Sequence, residues 1–402
     1  MQAPERRTRA DLLIAAALAL AIIVATGVVW LRSDARSTVS VTAETPAVTP
    51  EPAREVPATL QAVWDAPSSA TARPVVAAGT VVSAEDGAVV GRAPDTGVEL
   101  WRYERDLDLC GVVGAWQRAI AVYRDGRGCS QVTALDGASG ARAAQRSSDA
   151  DTSIELAANG TYVLARGDER LEAWRSDLVR TLEYGRVGAP VNPGTQPRSG
   201  CTLVDAAAGS SRLSVLERCP GESAERLTVL APSPEDAQEP EEFGSSVLAE
   251  IDGPGARIVA VAGERTAVYL PGEGGEGPRV GIYDGEGRLA AVVPLPEPAT
   301  DHAVTATNGS AVTWWTGSTL VAFDTTDLEP RWSLPDARGP AAQMADRLLV
   351  PVPTGLAVVD PATGVADRTL AVTRPQGDVP VIPAVIGGVV VEQRGDLLVA
   401  LR

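Results

Sequence analysis

The apolar positions of this chain form two different patterns. Leu12 to Leu31 reads LLIAAALALAIIVATGVVWL, 20 residues without a charge, which as a helix spans roughly 30 Å, the thickness of a bilayer core. From residue 59 onward, short Val- and Ala-rich runs alternate with turns that contain Gly, Asp and Pro, a pattern typical of β-strands. The sequence therefore predicts a tail over 1–11, a transmembrane helix over 12–31 and an all-β body over 59–402.

The apolar segment has two interpretations. Arg6, Arg7 and Arg9 precede it, and the positive-inside tendency places such a tail in the cytoplasm and the body outside. The alternative is a cleaved signal peptide, because 33–35 reads SDA and resembles a small-x-small cleavage site. A cleaved signal usually has an apolar region of only about 7 to 15 residues. The uncleaved anchor is therefore the favoured interpretation.

The segment that follows has a different composition. Residues 32–58 consist largely of Ser, Thr, Pro, Ala and Glu, with few large apolar side chains. Such a segment buries too little surface to fold alone. It is predicted to be a disordered, extended linker that holds the body away from the membrane.

The body repeats one unit. Eight segments read as two strands joined by a tight turn, and they begin at Pro74, Val112, Ile154, Leu203, Arg257, Ala303, Ala341 and Pro383. A third strand follows and runs into a turn that is marked most clearly by Asp95, Asp136, Asp284, Asp324 and Asp360. The fourth strand carries a tryptophan in two units, Trp101 and Trp332. Four-strand units that recur at about 40 residues predict a β-propeller, here with eight blades.

The two ends of the body complement each other. Residues 384–402 supply three strands and then stop, whereas 60–67 supply one strand with Trp64 placed like the tryptophans of other units. Pairing these segments in one blade would close the ring and protect its strand edges.

The motif at the third turn resembles that of a known family. AFDTTDLEPRW, with Asp324 and Trp332, and the shorter APDTGVELW are similar to the tryptophan-docking repeat of pyrroloquinoline-quinone-type eight-bladed propellers. With its apolar anchor and its Ala-rich, Lys-free composition, the chain resembles membrane-anchored proteins of this type from actinobacteria. It resembles more remotely the propeller lipoprotein of Gram-negative outer-membrane assembly, although no lipidation cysteine follows the apolar segment.

The resemblance does not extend to the chemistry of quinoprotein dehydrogenases. That family implies a bound quinone, a calcium ion, a catalytic Asp and a vicinal Cys-Cys disulfide, and this chain has no adjacent cysteines. A single histidine, His302, argues against histidine-cluster metal sites and a Ser-His-Asp triad. His302 is interpreted as a surface or turn residue. We expect no cofactor, no metal site and no catalytic residue.

Net charge and loop composition argue against three further possibilities, which are nucleic-acid binding, calcium binding and glycosylation. The net charge of −17, with 52 acidic residues against 35 arginines, disfavours nucleic-acid binding. Five carboxylates in 233–244 and the Gly-rich stretch 271–279 could offer oxygens to calcium, but both lack the spacing of a calcium loop and are interpreted as solvated loops. Asn159 and Asn308 match the glycosylation sequon, yet both fall at tight turns, where Asn-Gly is expected anyway.

Four cysteines allow three pairings. Cys110 and Cys201 align with the start of a first strand, and Cys129 and Cys219 with the end of the strand after it. Antiparallel neighbours bring such positions together, so the sequence predicts the pairs Cys110–Cys129 and Cys201–Cys219 in an oxidising compartment.

These expectations favour a membrane-anchored, extracytoplasmic propeller that binds a protein partner of the cell envelope without catalysis. Two alternatives remain from the sequence. One is a quinone-dependent oxidoreductase, and the other is a propeller that binds or hydrolyses polysaccharide with paired carboxylates.

Overall fold

The computed structural model describes residues 8–31, 33, 36–188, 191–248, 251, 254–272, 276–309, 311–375 and 379–402. Most of the tail predicted over 1–11 therefore lies outside the described residues.

Helix α1 spans Arg9–Leu31, and none of its residues is buried. It begins three residues before the predicted start because Thr8 and Asp11 cap it reciprocally, with the Thr8 N–H donating to the Asp11 carboxylate at 2.8 Å. The helix is long and apolar enough to cross a membrane.

The body is an eight-bladed β-propeller, as predicted, and each blade is an antiparallel sheet. Blades 1 to 4 contain β3 (Val75–Ala77), β4 (Thr80–Glu85), β5 (Ala88–Arg92) and β6 (Glu99–Glu104); β7 (Leu109–Ala115), β8 (Arg118–Asp125), β9 (Gly128–Asp136) and β10 (Arg142–Ser147); β11 (Glu155–Ala158), β12 (Val163–Arg166), β13 (Arg170–Trp174) and β14 (Arg180–Gly185); and β15 (Thr202–Ala208), β16 (Leu213–Arg218), β17 (Arg226–Leu230) and β18 (Glu242–Val247). Each of the eight hairpins expected from the sequence supplies the first two strands of a blade.

Blades 5 to 8 follow the same plan. They contain β19 (Arg257–Ala262), β20 (Arg265–Leu270), β21 (Arg279–Tyr283) and β22 (Leu289–Pro294); β23 (Val304–Thr307), β24 (Val312–Trp315), β25 (Leu320–Phe323) and β26 (Pro330–Leu334); β27 (Ala342–Met344), β28 (Arg347–Val352), β29 (Gly355–Val359) and β30 (Ala366–Ala371); and β31 (Val381–Ile386), β32 (Val389–Arg394) and β33 (Leu397–Leu401) with β2 (Ala62–Pro67). Strand β2 pairs with β33, so Asp65 lies opposite Val399. The two ends of the body thus complete one blade, as the sequence predicted.

The apolar core is divided among the gaps between blades. Eight clusters of buried side chains each join two neighbouring blades, and Trp101 with Tyr103 of blade 1, for example, packs against Ala119 and Tyr123 of blade 2. Second and third strands are therefore apolar on both faces, as in RLLVPV of β28 and GLAVV of β29. Outer strands such as β30 are largely exposed.

The strand order gives the ring two different faces. Turns between first and second strands and between third and fourth strands lie on one face, called here the hairpin face. Turns between second and third strands, together with the connections from one blade to the next, lie on the other, called here the connection face. Asn159 and Asp360 belong to the hairpin face, whereas Arg73 and Asp301 belong to the connection face.

The segment before the body is extended, but from Val39 onward it does not stand off from the propeller. Strand β1 (Val39–Val41) adds a fifth strand to blade 1 by pairing with β6. The N–H groups of Ala43 and Ala47 then donate to the carbonyls of Ser139 and Ala138, both at 2.9 Å. Backbone pairing of this kind needs no large apolar side chain, which explains why composition alone predicted a free linker.

The same segment continues across the hairpin face. The carbonyl of Val48 lies against Gly79 in the first turn of blade 1, and Pro50 lies against Gly387 in the first turn of blade 8. Ala53 and Val56 then pack on the core between blades 7 and 8. We call residues 39–57 the strap. The strap covers part of the hairpin face before the chain enters β2.

Candidate functional site

Three tryptophans join neighbouring blades in the same way. The indole N–H of Trp64 donates to the carbonyl of Pro94 at 2.7 Å, that of Trp101 to Gly137 at 2.8 Å and that of Trp332 to Pro361 at 2.9 Å. Each acceptor lies in the turn between the third and fourth strands of the next blade. The ring of each tryptophan also contacts the glycine that ends this turn: Gly97, Gly140 and Gly364. These tryptophans are interlocks between blades and do not face a ligand site.

Four of the five marker aspartates hold these turns. Asp136, Asp284, Asp324 and Asp360 each accept backbone N–H groups of the following turn, as in the 2.9 Å bond from Ser139 to Asp136. The N–H of Thr326 holds the pKa of Asp324 below its usual value, and that of Thr363 does the same for Asp360. For Asp284, burial opposes this effect, but the N–H groups of Arg288 and Glu286 outweigh it and lower the pKa.

Asp95 does not occupy the equivalent position, which corrects the alignment of the first blade. The backbone bond that closes the turn runs from Gly140 to Asp136 in blade 2 and from Gly97 to Ala93 in blade 1. Ala93 is therefore the counterpart of Asp136, and Asp95 lies two residues further along. The carboxylate of Asp95 forms an ion pair with Arg402 at 3.1 Å instead.

Two disulfides tie the connection face. Cys110 is bonded to Cys129 and Cys201 to Cys219, and the described part of the chain holds no free cysteine. Cys129 lies at the start of the third strand, β9, so this bond spans the turn between β8 and β9. Cys219 follows the second strand, β16. Both bonds therefore staple a blade near the point at which the chain enters it.

The two sequon asparagines form side-chain hydrogen bonds to the backbone of the next blade. The side-chain amide of Asn159 donates to the carbonyls of Ala208 and Gly209 at 2.7 and 2.9 Å, and its oxygen accepts the N–H groups of Thr161 and Tyr162. Asn308 makes the matching bond to Ala341 of blade 7 at 3.2 Å. Because its hydrogen-bonding groups serve the fold, Asn159 is interpreted as structural.

The remaining sequence candidates do not converge on a reactive site. His302 is exposed in the connection before β23. In 233–244, the carbonyl of Ala237 accepts the N–H of Glu183 at 2.7 Å, so this loop lies along blade 3. Glu273 to Gly275, in the Gly-rich stretch, lie outside the described residues.

The glutamates that are buried among the described residues are paired with arginines. Glu172 lies 2.7 Å from Arg170, Glu217 lies 2.8 Å from Arg198, and Glu392 lies 2.6 Å from Arg374. Burial alone would raise the pKa of Glu172, but Arg170 and Arg146 lower it. Carboxylates that are paired in this way serve the architecture and are poor candidates for general acids.

Among the described residues, the side chains that lie close enough to share an ion do not fit the calcium site of a quinoprotein dehydrogenase. Within the described ranges, Cys201, Glu217 and Cys219 form the one group of such side chains close enough to share an ion. Its two sulfurs are bonded to each other, and Tyr184, Arg198 and Thr228 already donate to Glu217. The vicinal disulfide expected beneath a quinone is also absent from the sequence.

The large internal space is the central lumen of the ring, a cavity of about 1340 Å³. First strands β7, β11, β15, β19 and β23 line it, together with the connection into blade 1. Alanine is frequent in two of these strands, ELAA of β11 and TLVDAAA of β15. Their small side chains leave the space that larger residues would fill.

Charged side chains lie toward the connection face of the lumen. The charged lining residues are Arg73, Asp86, Asp108, Glu155, Arg166, Asp205, Arg257 and Asp301. Arg166 pairs with Glu155 at 2.7 Å and Arg257 with Asp301 at 2.7 Å. Burial raises the pKa of Asp205, although the N–H of Ile258 donates to its carboxylate at 2.8 Å. Arg73 has no such carboxylate partner among the described residues.

The fold defines the protein as a member of the eight-bladed propeller class. No protein-family model and no curated protein matches the sequence. Among solved structures, BamB from Moraxella catarrhalis is similar at 16% identity and a TM-score of 0.50 over 86% of this chain and 100% of that chain. Sqt1 from Saccharomyces cerevisiae is similar at 10% identity and a TM-score of 0.52 over 87% of this chain and 99% of that chain.

The dihydro-heme d1 dehydrogenase NirN is also similar, at 14% identity and a TM-score of 0.48 over 86% of this chain and 72% of that chain. At these identities the comparisons show the propeller fold alone. The function has to be argued from the residues of this chain.

Proposed function

We propose that this protein is a membrane-anchored propeller that lies outside the cytoplasm and binds a protein of the cell envelope without catalysing a reaction. The observation that carries the proposal is the apolar, entirely unburied helix α1 joined to a rigid ring. An apolar helix that packs on no part of the protein needs another apolar environment, and a bilayer provides one.

The position of the ring near the membrane follows from the strap. Seven residues separate Leu31 at the end of α1 from Val39 at the start of β1, and at about 3.3 to 3.6 Å per residue they span at most roughly 25 Å. The rim of blade 1 is therefore held close to the membrane surface. A propeller positioned in this way suits binding in the envelope better than a freely tethered one does.

Two features support an extracytoplasmic location and the type of propeller. Disulfides such as Cys110–Cys129 persist in oxidising compartments. The tryptophan interlocks of Trp64, Trp101 and Trp332 are the geometry expected of the tryptophan-docking repeat. We also propose that the chain is a quinoprotein-like propeller of actinobacterial type, which agrees with its Lys-free composition.

The absence of catalysis is proposed on the state of the candidate groups. Buried glutamates are paired with arginines, the marker aspartates hold turns, and the cysteines are bonded. These groups already have partners, and the carboxylate of Asp205, which lines the lumen and whose pKa is raised by burial, accepts the N–H groups of Ile258 and Ala206.

The proposal is tested in intact cells whose outer envelope has been removed. Added protease should degrade the propeller, and crosslinking before lysis should capture a defined envelope protein. Full protection of the body would reject the topology. A purified protein that binds pyrroloquinoline quinone at micromolar concentration and reduces a dye in a calcium-dependent reaction would reject the binding role in favour of an oxidoreductase.

A further inference from the structure

Arg73 is an uncompensated cation in the lumen. It lies in the connection between β2 and β3, and its guanidinium reaches across the opening to the carbonyl of Thr305 in blade 6, at 3.3 Å. No carboxylate of the described residues lies within ion-pair distance of Arg73, unlike Arg166 and Arg257 beside it. A guanidinium offers five N–H donors, so one long bond leaves most of them unused.

Arg73 is exposed to solvent, although it stands at an opening lined by the first strands of the ring. The surrounding protein lowers the pKa of its guanidinium with no opposing carboxylate, and the group remains protonated. An anion that enters the lumen would therefore find a positive charge with unused N–H donors.

The connection that carries Arg73 is held in place. The hydroxyls of Ser68 and Thr71 lie 2.6 Å apart and are buried, and Thr71 also donates to the side chain of Gln393 in blade 8 at 3.0 Å. Gln393 returns a bond to the carbonyl of Ser68 at 3.1 Å. This network fixes the backbone two residues before Arg73, which is the preorganisation that a binding residue requires.

The shape of the lumen fits a polypeptide. Its volume of about 1340 Å³ exceeds the 300 to 1,000 Å³ that is common for small-molecule sites. Strands β7, β11, β15, β19 and β23 are the ends of their sheets, so each presents a backbone edge to the lumen, where an extended peptide can find matching donors and acceptors. Arg73 lies at the connection face of the lumen, so a segment that enters from this face meets Arg73 first.

We infer that the lumen binds an extended segment of a partner protein through the connection face, and that a carboxylate of this segment pairs with Arg73. The carboxylate is an Asp or Glu side chain or a free C-terminus. This inference deepens the proposed function and rests on it in taking the ligand to be a polypeptide.

The test uses the full chain in detergent, immobilised and exposed to a mixed library of acetylated octapeptides, half with a free C-terminal carboxylate and half amidated. Bound peptides are identified by mass spectrometry. We expect peptides with a carboxylate to be enriched about tenfold or more over their amide, Asn and Gln counterparts, as a charge-assisted hydrogen bond implies.

Arg73→Gln should abolish this preference and Arg73→Lys should keep part of it. The matched control is Arg175→Gln, an exposed arginine on the hairpin face that is paired with Asp177 and does not line the lumen, and it should bind like the wild type. Arg73→Gln should also keep the melting temperature, because Arg73 is exposed and has a single long hydrogen bond to lose. A marked drop in melting temperature would make Arg73 structural and overturn the inference.

Other outcomes also decide the question. Equal enrichment by Arg73→Gln and wild type, or no enrichment by the wild type, would overturn the carboxylate site. Succinate or citrate could stabilise the protein against heat in a manner that depends on Arg73, without any enrichment of peptides. This result would assign the site to a small carboxylate solute and overturn the inference of a peptide ligand. If Arg73→Gln still crosslinks the same envelope protein in cells, the proposed function stands and this inference fails.

Discussion

The ring of Trp101 lies so close to Gly140 that a Cβ atom on the glycine would stand 2.6 Å from the Cγ atom of the tryptophan. Gly140 has a φ of +72°, a conformation that costs other residues about 1 to 2 kcal/mol. The tryptophan of blade 1 therefore selects glycine at the end of a turn in blade 2. The pairs Trp64–Gly97 and Trp332–Gly364 repeat this relationship.

Gly140→Ala should consequently lower the free energy of unfolding by at least about 2 kcal/mol, since the strained φ and the displaced indole both contribute. Denaturant unfolding followed by tryptophan fluorescence measures it. The control is Gly126→Ala in the same blade, where a Cβ meets no atom within 4 Å. Equal stability of the two variants would show that the contact with Trp101 does not select the residue.

The blade pattern was predictable because each gap between blades is filled by the strands on either side, so the apolar runs repeat with the blades. The error at Asp95 came from aligning on the acid. Alignment on the glycine, four residues after Asp136 in blade 2 and four after Ala93 in blade 1, would have avoided it. The turns of blades 1, 2 and 7 share a left-handed glycine, Gly97, Gly140 and Gly364, whereas blade 1 has no acid at the position of Asp136.

The strap and the lumen were not predictable for physical reasons. The strap binds through backbone hydrogen bonds and small contacts of Pro and Ala, which leave no periodic pattern in the sequence. Arg73 and Thr305 are 232 residues apart, and their meeting across the lumen depends on closure of the whole ring. The chain contains 35 arginines, and the sequence does not show which of them lacks a carboxylate partner.

Removal of one disulfide is the second test of the architecture. Cys110→Ala with Cys129→Ala should cost about 2 to 5 kcal/mol, because each bond limits the unfolded chain. The pair Cys201 and Cys219 should give a similar loss, since the sequence separations are 19 and 18 residues. Unfolding with and without reductant measures this, and reductant should have no effect on a variant that lacks all four sulfurs. Peptide mapping that linked Cys110 to Cys201 would contradict the blade arrangement.

The strap predicts a protease pattern. Arg36 and Arg54 both have exposed side chains, but Arg54 lies between Ala53 and Val56, which pack on the core of blades 7 and 8. Trypsin should therefore cleave the folded protein after Arg36 much faster than after Arg54, because cleavage requires the backbone to detach.

Val56→Asp should release this part of the strap and expose Arg54. The control Val48→Asp should not do so, because the side chain of Val48 is 83% exposed. Fragments identified by mass spectrometry over a time course decide the matter. Rapid cleavage after Arg54 in the wild type would show that the segment is a free linker.

The turn aspartates predict how stability changes in acid. Backbone N–H groups lower the pKa values of Asp324 and Asp360, and for Asp284 they outweigh the opposing effect of burial. A carboxyl group whose pKa is lower in the folded than in the unfolded protein stabilises the fold at pH values above its unfolded pKa, near 3.9. This contribution is lost as the pH falls through the folded pKa.

A triple variant with Asp284→Asn, Asp324→Asn and Asp360→Asn tests this effect, because each amide oxygen still accepts the turn N–H groups but does not titrate. Urea midpoints of the variant should therefore fall less than those of the wild type between about pH 4 and pH 2, whereas at pH 7 the wild type should be the more stable protein. Parallel curves for the two proteins over the acid range would show that the three turns do not stabilise the ring through their charge.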